Sequence, residues 1–476
     1  MSRSSTSPPS DTALPDGDPS SIVRRAPFAD SPYVGERGQK GQIRILEAAL
    51  EVFGEVGYHG CGVKRITELS GYSRASFYQY FSSKDDLFRH LAGRVAKQLN
   101  ESAGALTPIT GDLAGWQSFH RWLERYSEIY DTYEPVFVTF ETAIVSDAMV
   151  ASGASVVAAR CFNDLRTKIV GSRLTSVEVD AVVRTLLQTV ARINRETELL
   201  EQVAPKSTLD RARVNVAFAD AFHRALFGPI EGVNVHTSTK RLKPVIRTSK
   251  AAASVGTDGD ASHGPAAQRT RAQLLAAGHD VFVEHGYYAT RIADIVKAAG
   301  VSHGVFYRYF DNKASLFRLL AVQASRQLAV AIEAFPKLSA DGQTDLAAEL
   351  WTWLSAFAST YAREAAIFTM WSEAISRDGE LGDVSAAAID ASRARLARFL
   401  QPRGWGDADA DAMVLLVFLD AMTSHGVTPT RIEGIAQMIE RGLLTGPPST
   451  PRATRSGAKK PASSAAGSRS RTRKGD

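Results

Sequence analysis

Cysteine is nearly absent from this sequence. Its 476 residues hold two, Cys61 and Cys161, which cannot build a disulfide framework and stand at no metal-ligand spacing. That usage predicts a reducing, cytoplasmic setting. Long apolar runs are missing too: the longest, Met413–Leu419, stops at Asp420, well short of the ~18 residues expected of a membrane span. The first 39 residues are rich in Ser, Pro, Asp and Gly and show no apolar stretch of the signal-peptide kind. No sustained apolar–polar alternation bounded by turn residues occurs, so no sheet is expected. Catalytic signatures fail as well. There is no Gly-rich phosphate loop on a strand, no His/Glu pair at metal spacing and no nucleophile elbow. His279, His285 and His303 cluster in sequence but lack Cys or carboxylate partners at zinc spacing. The expectation is a non-enzyme with no cofactor and no metal.

What the sequence does have is a repeat. Lys40–Leu99 aligns without a gap onto Arg269–Leu328, each residue meeting its counterpart 229 positions later. Phe53 meets Phe282, Gly57-Tyr58 meets Gly286-Tyr287, Gly71 meets Gly300, Ser73 meets Ser302, and Tyr80-Phe81 meets Tyr309-Phe310. Such a period is far too long for a solenoid; one complete module is used twice. The likeness continues more weakly at an offset of 231: Trp122-Leu123 meets Trp353-Leu354, Tyr130 meets Tyr361, Phe137 meets Phe368 and Asp180-Ala181 meets Asp411-Ala412.

The chain therefore divides into a disordered arm (1–39), a small head (40–99) and larger body (100–229), a flexible linker (230–266), a second head (267–328) and body (329–446), and a basic tail (447–476). The tail carries eight Lys/Arg against Asp476, a net +7 from Ser449 onward, which leaves about −2 for the rest of a chain whose total is +5. It suits either a solubilising role or non-specific contact with phosphate backbones. Apolar residues recur at spacings of three and four throughout both modules (Ile45/Leu46, Ala49/Leu50, Val52/Phe53, Val56), so the fold class expected is all-α.

Within each head, two short helices flank a turn led by glycine: Val63–Ser70, Gly71-Tyr72-Ser73, Arg74–Tyr80, and Thr290–Ala299, Gly300-Val301-Ser302, His303–Tyr309. That is a helix-turn-helix pattern, with Ser73 and Ser302 placed to cap the second helix and Thr290 placed to cap the first helix of its head. The first head has Cys61-Gly62 where the second has Thr290, and Gly in a first helical turn would cost ~1 kcal/mol relative to Ala. Exposed faces of the second helices offer Arg74, Ser76 and Gln79 in one copy and His303, Gly304 and Arg308 in the other. Arg can address guanine and Gln adenine, though either Arg could equally grip phosphate.

The spacing Phe282-x-x-x-Gly286-Tyr287-x-x-Thr290, then Ala299-Gly300-Val301-Ser302-x-x-x-Phe306-Tyr307-x-Tyr309-Phe310-x-x-Lys313, resembles the head of tetracycline-repressor-type (TetR-family) regulators. The resemblance implies two tandem modules, each a three-helix DNA-binding head with a helical body that binds a small effector and dimerises through its last two helices. It implies phosphate contacts from Tyr78 and Tyr307 and from Lys84 and Lys313, while Tyr80 and Tyr309 could serve DNA or the core. Phe77, Phe81, Phe306 and Phe310 are expected to pack the heads.

In the bodies, aromatic stripes fall at helical spacing. Such rings are mostly core, but Trp122, Tyr126, Tyr130 and Phe137, with Trp353, Phe357, Tyr361, Phe368 and Trp371, are the candidates to line a pocket for an apolar effector. Asp180–Ile193, Leu209–Phe227, Asp411–Met422 and Arg431–Leu444 are the candidate dimer helices, with a polar insert Asn194–Ser207 in the first body alone. They could pair within one chain as a pseudo-dimer or between chains as a homodimer. The function expected is an effector-responsive repressor reading two unlike half-sites on double-stranded DNA. The alternative is an architectural or weakly specific DNA-binding protein that uses heads and tail without ligand control.

Overall fold

The computed structural model describes residues 35–143, 148–203, 209–230, 264–336, 345–375, 379–401, 406–423 and 428–444. Most of the arm and linker, and the whole tail, lie outside them. The described residues are helical, with an isolated Ile109–Ile169 bridge and no strand, so the all-α expectation holds. The first module runs α1 (Glu36–Gly60), α2 (Val63–Ser70), α3 (Arg74–Tyr80), α4 (Lys84–Ala105), α5 (Leu113–Ala143), α6 (Ala148–Lys168), α7 (Ser176–Val203) and α8 (Arg211–Phe227). The second runs α9 (Pro265–Ala289), α10 (Ile292–Ala298), α11 (His303–Phe306), α12 (Lys313–Glu333), α13 (Leu346–Ile375), α14 (Gly379–Leu400), α15 (Ala408–Thr423) and α16 (Pro429–Gln437). A π-helical stretch, Met438–Leu444, continues α16.

Each head closes on its own small core and is stitched to its body by one long helix. In the first head, Ile45, Phe53, Ile66, Phe77, Phe81 and Leu87 pack together and are joined by Ile129, Tyr133 and Val136 from α5. In the second, Leu274, Phe282, Ile295, Phe306, Phe310 and Leu316 are joined by Ile367, Met370 and Trp371 from α13. All four phenylalanines expected in the head cores are buried there.

The bodies do not form two cores but one. Val214, Phe218, Phe222 and Leu226 of α8 pack with Met413 and Phe418 of α15 and with Ile439 and Leu443 of the π stretch. Phe418 meets Phe218 and Phe222 at ring-centroid distances of 6.4 and 5.8 Å. Burial of rings and branched side chains at ~1.5–3 kcal/mol each makes this seam a major source of stability. Polar contacts frame it. Arg213 grips Asp407 bidentately, Nη2 to Oδ2 at 2.7 Å and Nε to Oδ2 at 2.9 Å. Arg441 reaches Glu178 at 2.7 Å. Arg192 pairs with Asp420, which Arg195 also approaches at 3.6 Å. Burial works to raise the Asp420 carboxyl, but these two guanidiniums outweigh it and hold it below the usual carboxylate range. Glu178 is held down to about 2, first by the Thr175 N–H and then by Arg441.

One expectation fails here. Asn194–Ser207 is no loop between helices: α7 runs through Asn194 to Val203, and residues 204–208 lie outside the described set. The polar residues turn inward on their own helix instead. Asn194 donates to the Val190 carbonyl and Thr197 to Ile193, while Leu200 is fully buried.

Beside the kink of α5 at Tyr133, just before Pro135, burial and then the neighbouring Glu198 push the Glu134 carboxyl up to about 7. A folded-state value above the unfolded one means the folded chain holds its proton more tightly. Stability from this group is therefore complete at pH 4 and is lost as pH rises through about 7. Glu134→Gln is expected to stabilise the chain by about 2 kcal/mol at pH 8 and by nothing near pH 4. Urea unfolding at the two pH values checks this, and equal gains at both would count against it.

Candidate nucleic-acid interface

The helix-turn-helix geometry is set by paired glycines. Gly57 and Gly286 have φ of 68° and 76°, a left-handed conformation that breaks the long first helix of each head at one place. Gly71 and Gly300, at φ 75° and 65°, reverse the chain between the two short helices. Ser73 then caps α3, its Oγ accepting from the Ser76 N–H at 3.0 Å. Ser302 occupies the same cap position, but its side chain makes no cap bond, and the regular helix that follows spans only His303–Phe306.

Two local expectations need correction. Thr290 does not cap the helix after it: its hydroxyl donates back to the Gly286 carbonyl at 2.7 Å and closes α9, and Arg291 is the N-cap of α10. Gly62 is not in a first turn but is itself the N-cap of α2, at φ −107° and ψ 151°. Glycine is tolerated at a cap, so the cost expected of it does not arise.

The second helix of each motif turns one phenylalanine inward and a tyrosine outward. Phe77 and Phe306 are fully buried, while Tyr78 and Tyr307 are 40% and 56% exposed. Arg74 and Gln79 are exposed beside Tyr78, with Ser76 half-buried where its hydroxyl lies 2.9 Å from Ser73 Oγ. His303, Gly304 and Arg308 are exposed beside Tyr307. These residues thus stand on or just after the short second helix of each motif, all exposed except the half-buried Ser76. Tyr80 and Tyr309 are half-buried on the flank of each core; Tyr80 meets Tyr72 edge-on at 6.4 Å, and burial, then Tyr72, raises its phenol.

The two lysines are placed otherwise than a free phosphate grip. Lys84 Nζ donates to the Tyr58 and Cys61 carbonyls at 2.8 and 3.2 Å and stands 4.2 Å from the Tyr58 ring centre. Lys313 repeats this with Tyr287 and Thr290, at 2.6 and 2.9 Å, over the Tyr287 ring at 4.7 Å, and burial lowers its ammonium. Two of three N–H donors on each ammonium are committed to carbonyls of the helix-breaking corner, and the third is what a phosphate could use. Sequence reading missed the tyrosine shelf, although Gly57-Tyr58 and Gly286-Tyr287 stand in the repeat and carried the signal.

The nine aromatic residues proposed for an effector are body residues. Trp122, Tyr126, Tyr130, Trp353, Phe357, Tyr361 and Trp371 are buried, and Phe137 and Phe368 half-buried among them. Tyr126 and Tyr130 flank Phe137, and Phe368 is stacked between Tyr361 and Trp371. The matched tryptophans of the two bodies differ: Trp353 Nε1 donates to the Ala331 carbonyl at 2.8 Å, whereas Trp122 Nε1 is buried without a partner among the described residues.

Comparison with known proteins fits this geometry. The family described as bacterial regulatory proteins, tetR family, matches residues 45–91 and again 274–320. An uncharacterized HTH-type transcriptional regulator of Bacillus subtilis, YfiR, is 33% identical over 105 residues, 21% of this chain and 50% of that protein. The HTH-type transcriptional repressor AcnR of Corynebacterium diphtheriae is 36% identical over 87 residues, 18% of this chain and 46% of AcnR. The HTH-type transcriptional activator FasR of Mycolicibacterium smegmatis is 45% identical over 47 residues, 10% and 22% of the two chains. The matched segments span about half the length of the first two relatives. The tetR family's helix-turn-helix domain is thus present twice in this chain, once on each head.

Proposed function

We propose that the chain is a sequence-specific DNA-binding transcriptional regulator whose two unlike recognition faces read two unlike half-sites. The observation that carries this reading is the contrast at the exposed positions. Tyr78 and Tyr307 are alike, but Arg74, Ser76 and Gln79 face outward or partly so in one head where His303, Val305 and Arg308 do in the other. Recognition helices of this motif enter the major groove, and unlike side chains there select unlike bases. The shared core of the bodies holds the heads together as a symmetric dimer would hold two chains, so one polypeptide supplies both, as an internal pseudo-dimer. Repression is the simplest output, since occupancy alone excludes other proteins from the site. An apolar effector taken up among the body aromatics would lower operator affinity by favouring a different spacing of the heads.

Selection of binding sites from random duplexes by the full chain tests the reading. The expected product is a non-palindromic pair of half-sites bound by one chain. Tyr78→Ala and Tyr307→Ala are each expected to weaken binding about tenfold on all sequences with the salt dependence unchanged, because a neutral phenol contacting phosphate releases no counterion. Recovery of perfect palindromes alone, or no preference over random competitor at physiological salt, would overturn it.

A further inference from the structure

The two modules differ where head meets body. In the first, the groove between α1, α4 and α5 is filled. Tyr133 is 7% exposed within the head core, Gln98 Nε2 donates to its hydroxyl at 3.2 Å, Leu50 packs against the same core, and Ile43, 39% exposed, stands seven residues before it on α1. At the matching positions the second module has Glu364, Gln327, Ala272 and His279. A tyrosine has become a carboxylate, an isoleucine an alanine and a leucine an imidazole, while Leu46 and Leu91 at the base are kept as Leu275 and Leu320.

The consequence is a cleft of about 300 Å³ between α9, α12 and α13, floored by Leu275 and Leu320 and edged by His279, Gln323, Gln327 and Glu364. That is the lower end of the range of small-molecule sites, about 300–1,000 Å³. Its chemistry is lopsided. The apolar floor is buried, both glutamine amides are exposed at the edge, and the half-buried Glu364 carboxylate forms no ion pair among the described residues. The other acidic group beside the cleft, Asp280, already has His279 Nδ1 at 3.3 Å. A half-buried carboxylate without a counter-ion, over a leucine floor and between two amides, suits an organic cation with a short apolar body.

We propose that this cleft is a binding site for small primary amines bearing an apolar or aromatic group, the ammonium on Glu364 and the apolar part on Leu275 and Leu320. Its position gives it leverage. α9 belongs to the head, α13 to the body, and α12 joins them, so an occupant touches both sides of the joint. An amine that prefers one angle of that joint shifts the second head alone, since the first module has its own tyrosine in the groove. The consequence for DNA rests on the function proposed above; the binding itself does not.

Phenethylamine, with 2-phenylethanol as its uncharged counterpart, is the probe, titrated against the full chain by calorimetry or ligand-observed NMR at neutral pH. Saturable amine binding is expected, at least about tenfold tighter than that of the alcohol. Glu364→Gln should remove that tenfold preference. Ala272→Ile with His279→Leu, which installs the residues the first module carries there, should abolish binding of both probes. Far-UV circular dichroism checks that the variants are folded, and Glu364→Gln decides the matter if the double variant is not. Equal binding of amine and alcohol, binding indifferent to both variants, or no saturable binding by the wild type would overturn the site. Amine binding by a chain with no duplex preference would leave the site standing and sink the regulator. Duplex preference without amine binding would do the reverse.

Discussion

Arg213→Ala is expected to destabilise the chain by about 3–5 kcal/mol. The guanidinium and the Asp407 carboxylate are both mostly buried, at 15% and 9% side-chain exposure, and bind through three contacts of 2.7–2.9 Å. Removing one partner strands the other charge in the seam, which is why the cost exceeds the ~0–1 kcal/mol of a surface pair. A control separates stranded charge from lost packing: Arg213→Met combined with Asp407→Leu should return to within about 1–2 kcal/mol of wild type, as apolar replacement of both members of a buried pair often does. Urea midpoints of the wild type, two single variants and the double variant complete the cycle. Single-variant costs under about 1 kcal/mol would mean that the two bodies are not docked through this pair.

The same pair bears on which bodies can associate. Asp210 and Thr428 cap corresponding helices, so Arg213 corresponds to Arg431, and the repeat offset makes Ser176 the counterpart of Asp407. Two copies of the first body packed symmetrically would set Arg213 against a serine. Arg192 and Asp420 have threonines, Thr423 and Thr189, as counterparts, so that pair is also one-sided. Each contact is complete only when the unlike bodies meet, which favours pairing of first with second over pairing of first with first.

How far the fold was legible from sequence depended on whether neighbours in space were also regular in sequence. The heads were read almost completely, because Gly57, Gly71, Phe77 and Tyr78 and their counterparts sit at fixed local spacing and their roles are local. The inward turn of Phe77 and the outward turn of Tyr78 follow from helical period alone. The lysines were harder: Lys84 bonds carbonyls 26 and 23 positions away, and no spacing rule reports a backbone acceptor at that range. The α7 extension was misread because Asn194 and Thr197 look like loop residues until their side chains are seen bonded to carbonyls one turn back. Least legible was the seam, where Arg213 and Asp407 are 194 positions apart.

Gly442→Ala is expected to cost about 3 kcal/mol or more, at the upper end of overpacking effects. Gly442 lies in the π-helical stretch and crosses α8 so closely that an added methyl would fall inside contact distance of the Ala221 carbonyl oxygen, with the carbonyl carbon at 3.0 Å and Cα at 3.3 Å. All three are backbone atoms, so no rotamer change can make room; one helix must move away from the other. Gly434, one helix earlier on the same edge, is the matched contrast. A methyl there would meet Thr185 Oγ1 at 3.6 Å and Ala181 Cβ at 3.7 Å, ordinary contacts across the same pair of bodies. Since glycine in a helix interior loses ~1 kcal/mol to alanine, Gly434→Ala should stabilise the chain by up to about that amount. Opposite signs for one chemical change, at two sites eight residues apart, are a test that helix propensity alone cannot pass. Thermal and urea unfolding of both variants read it out. If Gly442→Ala is neutral, α8 and the π stretch do not cross at this distance, and the single core joining the two bodies loses one of its backbone-to-backbone contacts.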